Sequence, residues 1–498
     1  MDPSSNQNQT GLAQPGFDEA QLRGWVEQQT ALGPRRPGSP AGRANEDWLR
    51  DQLLAFGLSE VRQEAIPITR ADANSWSLRV GSGDELEELD CFPIPYTRHT
   101  AAAGVTGPLV FAERRRLWHH ADWRGAMVVA EIGFPPLNVG LLQRLASGRY
   151  DPEGTLPAVD HPATWVRLGW HLYRLAARRG AAAFIGIVAD QPGGSCRMFA
   201  PYGFKEKDIL DKPLPGVWVG RGEGERLRAL ARRGDGRAQL TVTGVHEPGL
   251  THNVVGEIPG SSQEAIVLSC HHDSPFASPV EDASGVAVVL AVAQHFAASR
   301  DLRRRLIVLL SAGHFYGSIG TRSFIERHRS DLLQQVACEI SIEHIAREAV
   351  EDANGRLVPS GQPEATGIFV PFSRAVDAAV IGAMRDHDLR RVLTLPAEGP
   401  LGPYPPTDGG DWWAAGVPVI NSIANPVYLL TDDDGPQWVD GQRLPKTAAA
   451  FADVIRRLDA MDRRTIAAVD SKARLLAMKA LRRIVHAKTT LFGLRPVH

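Results

Sequence analysis

Two short runs carry side chains able to hold a metal and move protons. From Ser269 the chain reads Ser-Cys-His-His-Asp-Ser, which puts a His-x-Asp triplet, His271 and Asp273, just after the apolar run Ala265 to Leu268. A histidine at a strand end, with an aspartate two residues on to fix its tautomer and raise its basicity, is a common way to offer an imidazole to a cation. The run Glu281-Asp282-Ala-Ser-Gly follows, an acidic pair at the mouth of a helix expected to begin near Ser284. There a carboxylate either ligates a cation or caps the N–H groups of the first turn. A lone His-x-Asp is more often structural. Its place at a strand-to-helix switch argues for function, because open α/β sheets build their sites at such points.

Composition bounds the class. The 498 residues are too many for one ordinary domain. The 43% hydrophobic and 22% charged residues are those of a soluble globular protein. A net charge of −2 argues against a nucleic-acid partner. The four cysteines are scattered, with no CxxC, which favours a reducing compartment and no zinc knuckle. Residues 1–16 are polar and lack the basic and apolar regions of a secretory signal. No run approaches the roughly 18 apolar residues of a membrane span. The expected location is the cytoplasm, and the expected partner a small molecule or short peptide; a homo-oligomer is compatible with these features.

The elements that must position those residues fall into four parts. Residues 1–16 are expected to be disordered. An amphipathic helix around Trp48, Leu49, Leu53 and Phe56 ends at Gly57, and a strand follows at Val61 to Ile68. Residues 71–245 are short apolar runs between Gly/Pro turns, with helices at Trp165 to Arg179 and Gly224 to Arg233, and read as a separate β-rich domain. From Asn253, strands and helices alternate regularly to about Asp459. That alternation implies an α/β fold, a mostly parallel twisted sheet with helices on both faces, formed by 17–70 and 246–462. Residues 463–498 form a basic tail with a helical apolar pattern, read as a helix docked on its own domain.

Together these pieces resemble the zinc aminopeptidase and glutamate carboxypeptidase family. The likeness spans most of 33–460: Gly33-Pro-Arg-Arg-Pro-Gly-Ser, Asn253-Val-Val-Gly-Glu-Ile-Pro-Gly, His271-His-Asp-Ser, Glu281-Asp-Ala-Ser-Gly, Ser311-Ala-Gly-His-Phe-Tyr-Gly, Ile340-Ser-Ile-Glu-His and Thr407-Asp-Gly-Gly-Asp-Trp-Trp. Residues 71–245 look like the protease-associated domain that some members insert. The chain departs from the family in an ordered way. The family's bridging Asp is Glu281 here, and the Asn that often follows it is Asp282. Its Glu-Glu pair, general base then ligand, is His314-Phe315, and its late-strand Asp is Glu343. The last histidine ligand falls at Leu429 or Leu430.

By that resemblance, the private ligands of one metal have become apolar, while His271, Glu281 and Glu343 remain as ligands of the other. The resemblance therefore implies one divalent metal, zinc by ligand type, in place of the family's two. His314 stands where the base should be, either as the proton acceptor or as a further ligand. Asp273 orients His271. Either Glu281 or Asp282 faces the ion, and the other caps the helix. His344 follows Glu343 on a strand, where neighbours point to opposite faces, so it is expected as an outer or substrate contact. Asp408 reads as the same or as plain turn chemistry. Cys270 reads as a small hydrophobe, and Trp412 and Trp413 as pocket lining or core. The implied activity is hydrolysis of an amide, peptide or related acyl bond. A metal-assisted acyl transferase or cyclase and a catalytically silent binding protein are the alternatives.

Overall fold

The computed structural model describes residues 16–83, 85–112, 123–134, 136–157, 161–162, 171–188, 190–200, 212–399, 402–470, 472–473, 475–480 and 483. The expected disordered start, the first part of the helix placed from Trp165, and most of the basic tail lie outside them.

Helix α1 (Glu19–Thr30) starts where Asp18 accepts from the Ala20 N–H, and α2 (Pro40–Ala55) where Ser39 accepts from Gly42 with a proline in the first turn. Strand β1 is Ser59–Ser82, far longer than the segment to Ile68 that its apolar pattern suggested. It leads to β2 (Val105–Phe111), β3 (Met127–Ile132), α3 (Val139–Leu145), β4 (Gly148–Tyr150), β5 (Ala183–Val188), β6 (Gly216–Val219) and α4 (Arg221–Arg233). The chain returns along β7 (Gly236–Ile258). There follow β8 (Ser262–His271), α5 (Ser284–Ser299), β9 (Arg304–Ser311), α6 (Ile319–Arg327), β10 (Val336–Ile342), β11 (Thr366–Val370), α7 (Arg374–Asp386), β12 (Val392–Pro396), α8 (Gly409–Ala414), β13 (Val419–Ala424) and α9 (Arg443–Asp459).

The strands join in the order β6-β5-β3-β2-β7-β9-β8-β10-β13-β11-β12-β4. The inner set β9-β8-β10-β13 is parallel, as are β6-β5-β3-β2 and β11 on β12. The pairings of β7 on β2 and on β9, β11 on β13 and β4 on β12 are antiparallel, so along this order the sheet is mostly parallel with antiparallel joins. Two features were hidden in the sequence. First, β1 and β7 pair antiparallel from Ser59/Glu257 to Ser82/Gly236, straight through the boundaries expected at 70/71 and 245/246. Pro67 and Pro248 sit in this ribbon, on edge-like strands where a missing N–H is tolerated. Second, β4, from within 71–245, forms an outer strand of the main sheet on β12.

Both faces of the inner strands are covered, which is why they read as continuous apolar runs. Ile266, Leu268, Val308, Leu310 and Ile340 face the side of α5, α7 and α9, while Val267, Ile307, Leu309 and Val419 pack with Phe324 and Trp412 of α6 and α8. Helix α5 is buried nearly all round. The stretch Pro279–Ser299 is long and apolar enough to cross a membrane by length and composition, but 78% of its most apolar window is inside the core. A separate apolar cluster lies between β1 to β7, with Leu78, Met127, Ile185, Val217 and Leu240 at its centre.

Candidate metal centre

Parallel order brings the C-terminal ends of four strands to one edge, and the candidate residues sit there. His271 ends β8 opposite Ser311 at the end of β9. Glu343 follows β10, and its N–H donates to the Ser422 carbonyl of β13. Glu281 and Asp282, joined by a cis peptide bond in non-helical backbone, lead directly into α5. The closeness of α5 to β10 depends on Gly285, where a Cβ would meet the Ile342 carbonyl oxygen at 2.4 Å and Asp282 Oδ1 at 2.6 Å.

One ligand atom from each of His271, Asp282, Glu343 and His344 lies within 4.8 Å of all the others, and a second such group joins His271, Glu281 and His314. Every member except the partly exposed His314 is buried. Glu281 lies between two rings, with Oε1 3.1 Å from His271 Nε2 and Oε2 2.9 Å from His344 Nε2. Asp282 Oδ2 is 3.7 Å from His271 Nε2 and accepts from the Cys270 thiol, while its Oδ1 accepts from the His344 and Gly285 N–H groups. Asp282 therefore both caps α5 and reaches the cluster, so neither acid is merely a cap. Of the expected ligands, His271 and Glu343 share the first group with Asp282 and His344, whereas Glu281 joins His271 and His314 in the second.

His344 enters the cluster through its backbone. Its φ of 59° puts it in the left-handed region, uncommon for a residue with a side chain, and this breaks the strand alternation that would have turned it away from Glu343. Its Nδ1 is held by the Ala424 carbonyl at 2.7 Å, leaving Nε2 toward Glu281. Asp273 holds His271 chiefly through its backbone. His271 Nδ1 bonds the Asp273 carbonyl oxygen at 3.1 Å, with the carboxylate 3.7 Å away. That carboxylate accepts instead from the N–H groups of His314 and Phe315 and fixes their turn. His314 Nδ1 is 2.7 Å from Asp408, and its ring stacks on His271.

Electrostatics follow from burial and pairing. Burial works against charge on His271, yet Asp273 and Glu281 outweigh it and hold the ring well above its ordinary pKa. His344 is pushed up to about 10 against the same penalty by Glu281 and Asp282. Glu281 is held well below the usual carboxylate range despite burial, chiefly by His344 and His271. Burial raises Asp282 and takes Glu343 up to about 7.

The donor set fits a divalent ion. His271 Nε2, Glu281 Oε1, Glu343 Oε1 and His344 Nε2 are buried, and none has a partner in hydrogen-bonding geometry. Such atoms cost free energy when left unmatched, and imidazoles with carboxylates are what zinc and similar ions take.

Two partners of this site were missed in the sequence. Asp434, whose carboxyl burial raises to about 7, accepts from the N–H groups of Val280 and Glu281. Arg35, lowered to about 10 by burial, donates to the carbonyls of Ala277 and Ser278. Between them they hold the loop that carries the acidic pair. The signal for Arg35 lay in the Gly33-Pro-Arg-Arg run. Nothing in Asp432-Asp433-Asp434 marked the third aspartate.

On the far side of His271 the packing is apolar. Phe315 meets the His271 ring edge-on at 5.9 Å and Phe199 at 5.6 Å. Phe199 N–H donates to the Leu430 carbonyl, Met198 bridges to Thr431, and Gln191 donates to the Val427 carbonyl. Residues 191–199 thus form one wall of the site. Trp412 is core, packed against Phe324.

A family profile described as peptidase family M28 matches residues 253–379. Among solved structures, a peptidase M28 precursor from Shewanella amazonensis is similar at 17% identity and a TM-score of 0.66, over 89% of this chain and 94% of that one. The zinc aminopeptidase of Bacillus subtilis gives 15% and 0.63, over 91% and 98%. An aminopeptidase from Aneurinibacillus gives 17% and 0.58, over 88% and 93%. At such identities these likenesses show the fold. Comparison with curated proteins finds no sequence match.

Proposed function

We propose that this chain, a member of peptidase family M28 through residues 253–379, is a hydrolase of an amide or peptide bond in a small substrate, working with one divalent ion, zinc by ligand type. The observation that carries the reading is the set of buried ligand atoms from His271, Asp282, Glu343 and His344, all within 4.8 Å of one another. His271, Asp282, Glu343 and His344 would hold the ion, with Glu281 beside them. When bound, it would polarise the scissile carbonyl and lower the pKa of water. A single ion is supported by the buried apolar side chains at Phe315 and at Leu429 and Leu430, where family members are expected to supply ligands.

The chain's own groups account for the rest. His314 would take the attacking water's proton and return it to the leaving amine. Burial and His271 work against charge on this ring, but Asp408 outweighs them and raises its pKa, which strengthens it as a base. Residues 71–245 would act as a protease-associated insert that walls the site through 191–199. The protein would work in the cytoplasm.

A second reading has its own support. Two histidines and two carboxylates suffice to close a tetrahedral site, and closed sites are structural rather than catalytic. That geometry suits a metal-stabilised binding protein.

A panel of aminoacyl amides and dipeptides separates the two. Hydrolysis that a chelator abolishes and zinc restores is expected. Zinc-loaded, folded protein that cleaves no member of the panel would leave the binding-protein reading.

A further inference from the structure

Asp408 is built into the fold more tightly than a turn residue needs. Its buried carboxylate accepts from Ser311 Oγ at 2.8 Å, His314 Nδ1 at 2.7 Å, Ser318 Oγ at 2.6 Å and Thr321 Oγ1 at 2.9 Å. All four donors lie between the end of β9 and the first turn of α6, whereas Asp408 stands just before α8. It makes no side-chain cap to α8, so helix capping and turn chemistry do not explain it. Its neighbour is equally constrained: a Cβ on Gly409 would fall 2.0 Å from Asn421 Nδ2, which fixes the backbone that delivers the carboxylate.

Three hydroxyls already supply hydrogen bonds to this anion, so the imidazole is not required to satisfy it. What the fourth bond does is orient the ring. An ionised carboxylate can only accept, so the nitrogen 2.7 Å away must carry a proton. In the neutral ring the basic lone pair is then on Nε2. The ring is stacked on His271 with planes 14° apart, and one of its nitrogens lies within 4.8 Å of ligand atoms of both His271 and Glu281.

We propose that Asp408 is a positioning residue: it holds the Nδ1 proton of His314 and thereby sets the tautomer and orientation in which that ring faces the metal cluster. This rests in part on the reading of His314 as the proton carrier, and it replaces the carboxylate base implied by the family with an imidazole–carboxylate pair.

The test is the imidazole nitrogen spectrum of the full chain labelled with 15N-histidine, with His314→Gln used to assign the resonances. His314 Nδ1 is expected to be protonated, with a strongly deshielded proton. Asp408→Asn should shift or abolish that proton signal, and Asp408→Glu should recover it in part, which a purely space-filling role would not do. An unprotonated Nδ1 in the wild-type chain overturns the proposal, as does a signal indifferent to Asp408→Asn. If Asp408→Asn does not fold, the wild-type spectrum decides alone. A protonated Nδ1 in a protein without turnover would count against the hydrolase reading and leave the role of Asp408 intact.

Discussion

The imidazoles of His271 and His314 are stacked, with ring centroids 4.2 Å apart, yet they are held by different carboxylates. His271 is engaged by Glu281 and the Asp273 carbonyl, and His314 by Asp408. One ring is placed to ligate and the other to move a proton. His314→Ala should therefore cost about 10²-fold or more in turnover, the scale of a lost general base, with metal content unchanged. Parallel assays of turnover and bound metal check this. Metal lost along with activity would make His314 a ligand.

Metal affinity should depend on pH. His344, raised to about 10, and His271, held well above its ordinary value, carry protons near neutrality in the ion-free protein. Ligation requires neutral rings, so binding must release protons, and affinity must fall as pH falls. Calorimetric titration of zinc at about pH 6 and about pH 8, in buffers of different protonation heat, reads both quantities. Tight binding with no proton release at either pH would contradict the assignment of these rings.

Stability should carry the mark of Glu339. This residue of β10 is buried and accepts from Ser269 Oγ at 2.6 Å and Asn421 Nδ2 at 3.0 Å, and burial pushes its carboxyl up to about 8. The folded protein keeps this proton after the unfolded chain has lost its own, near pH 4.3. Stability from this group is thus full below about pH 4.3 and declines as pH rises toward 8, by at most about 1.4 kcal/mol per unit. Glu339→Gln should flatten that decline relative to the parent in urea unfolding at stepped pH. Parallel curves for the two proteins would show that Glu339 titrates normally.

The wall formed by 191–199 should be energetic as well as geometric. Phe199→Ala removes a buried ring packed on Phe315 and Tyr96 and should destabilise by about 3–5 kcal/mol. The exposed Val350→Ala should stay within about 0.5 kcal/mol. Denaturant midpoints for both variants test the contrast, and a neutral Phe199→Ala would mean this wall is loosely held.

Much of this architecture was legible because local signals agreed with the global fold. Apolar runs ending in Cys270-His271 and Ile342-Glu343 are the ends of neighbouring parallel strands, so strand pairing alone brings those side chains to one edge. What stayed hidden depended on backbone geometry or distant contacts. Alternation argued that His344 points away from Glu343, and only its left-handed φ reverses that. Asp273 is named by a metal-binding motif, but its carboxylate is consumed by two N–H groups of the His314 turn. The β1–β7 ribbon crosses an expected domain boundary because pairing along 59–82 outweighs the Gly and Pro residues that suggested a break. Asp408 and Asp434 act about 90 and 150 residues from their partners, beyond the reach of any local pattern.

The most direct measurement is metal stoichiometry, by elemental analysis of the full chain expressed with added zinc, beside His271→Ala and Phe315→Ala. The account predicts one zinc per chain, lost in His271→Ala, the variant without the shared imidazole, and retained in Phe315→Ala. Two ions per chain, or none in the folded parent protein, would contradict it.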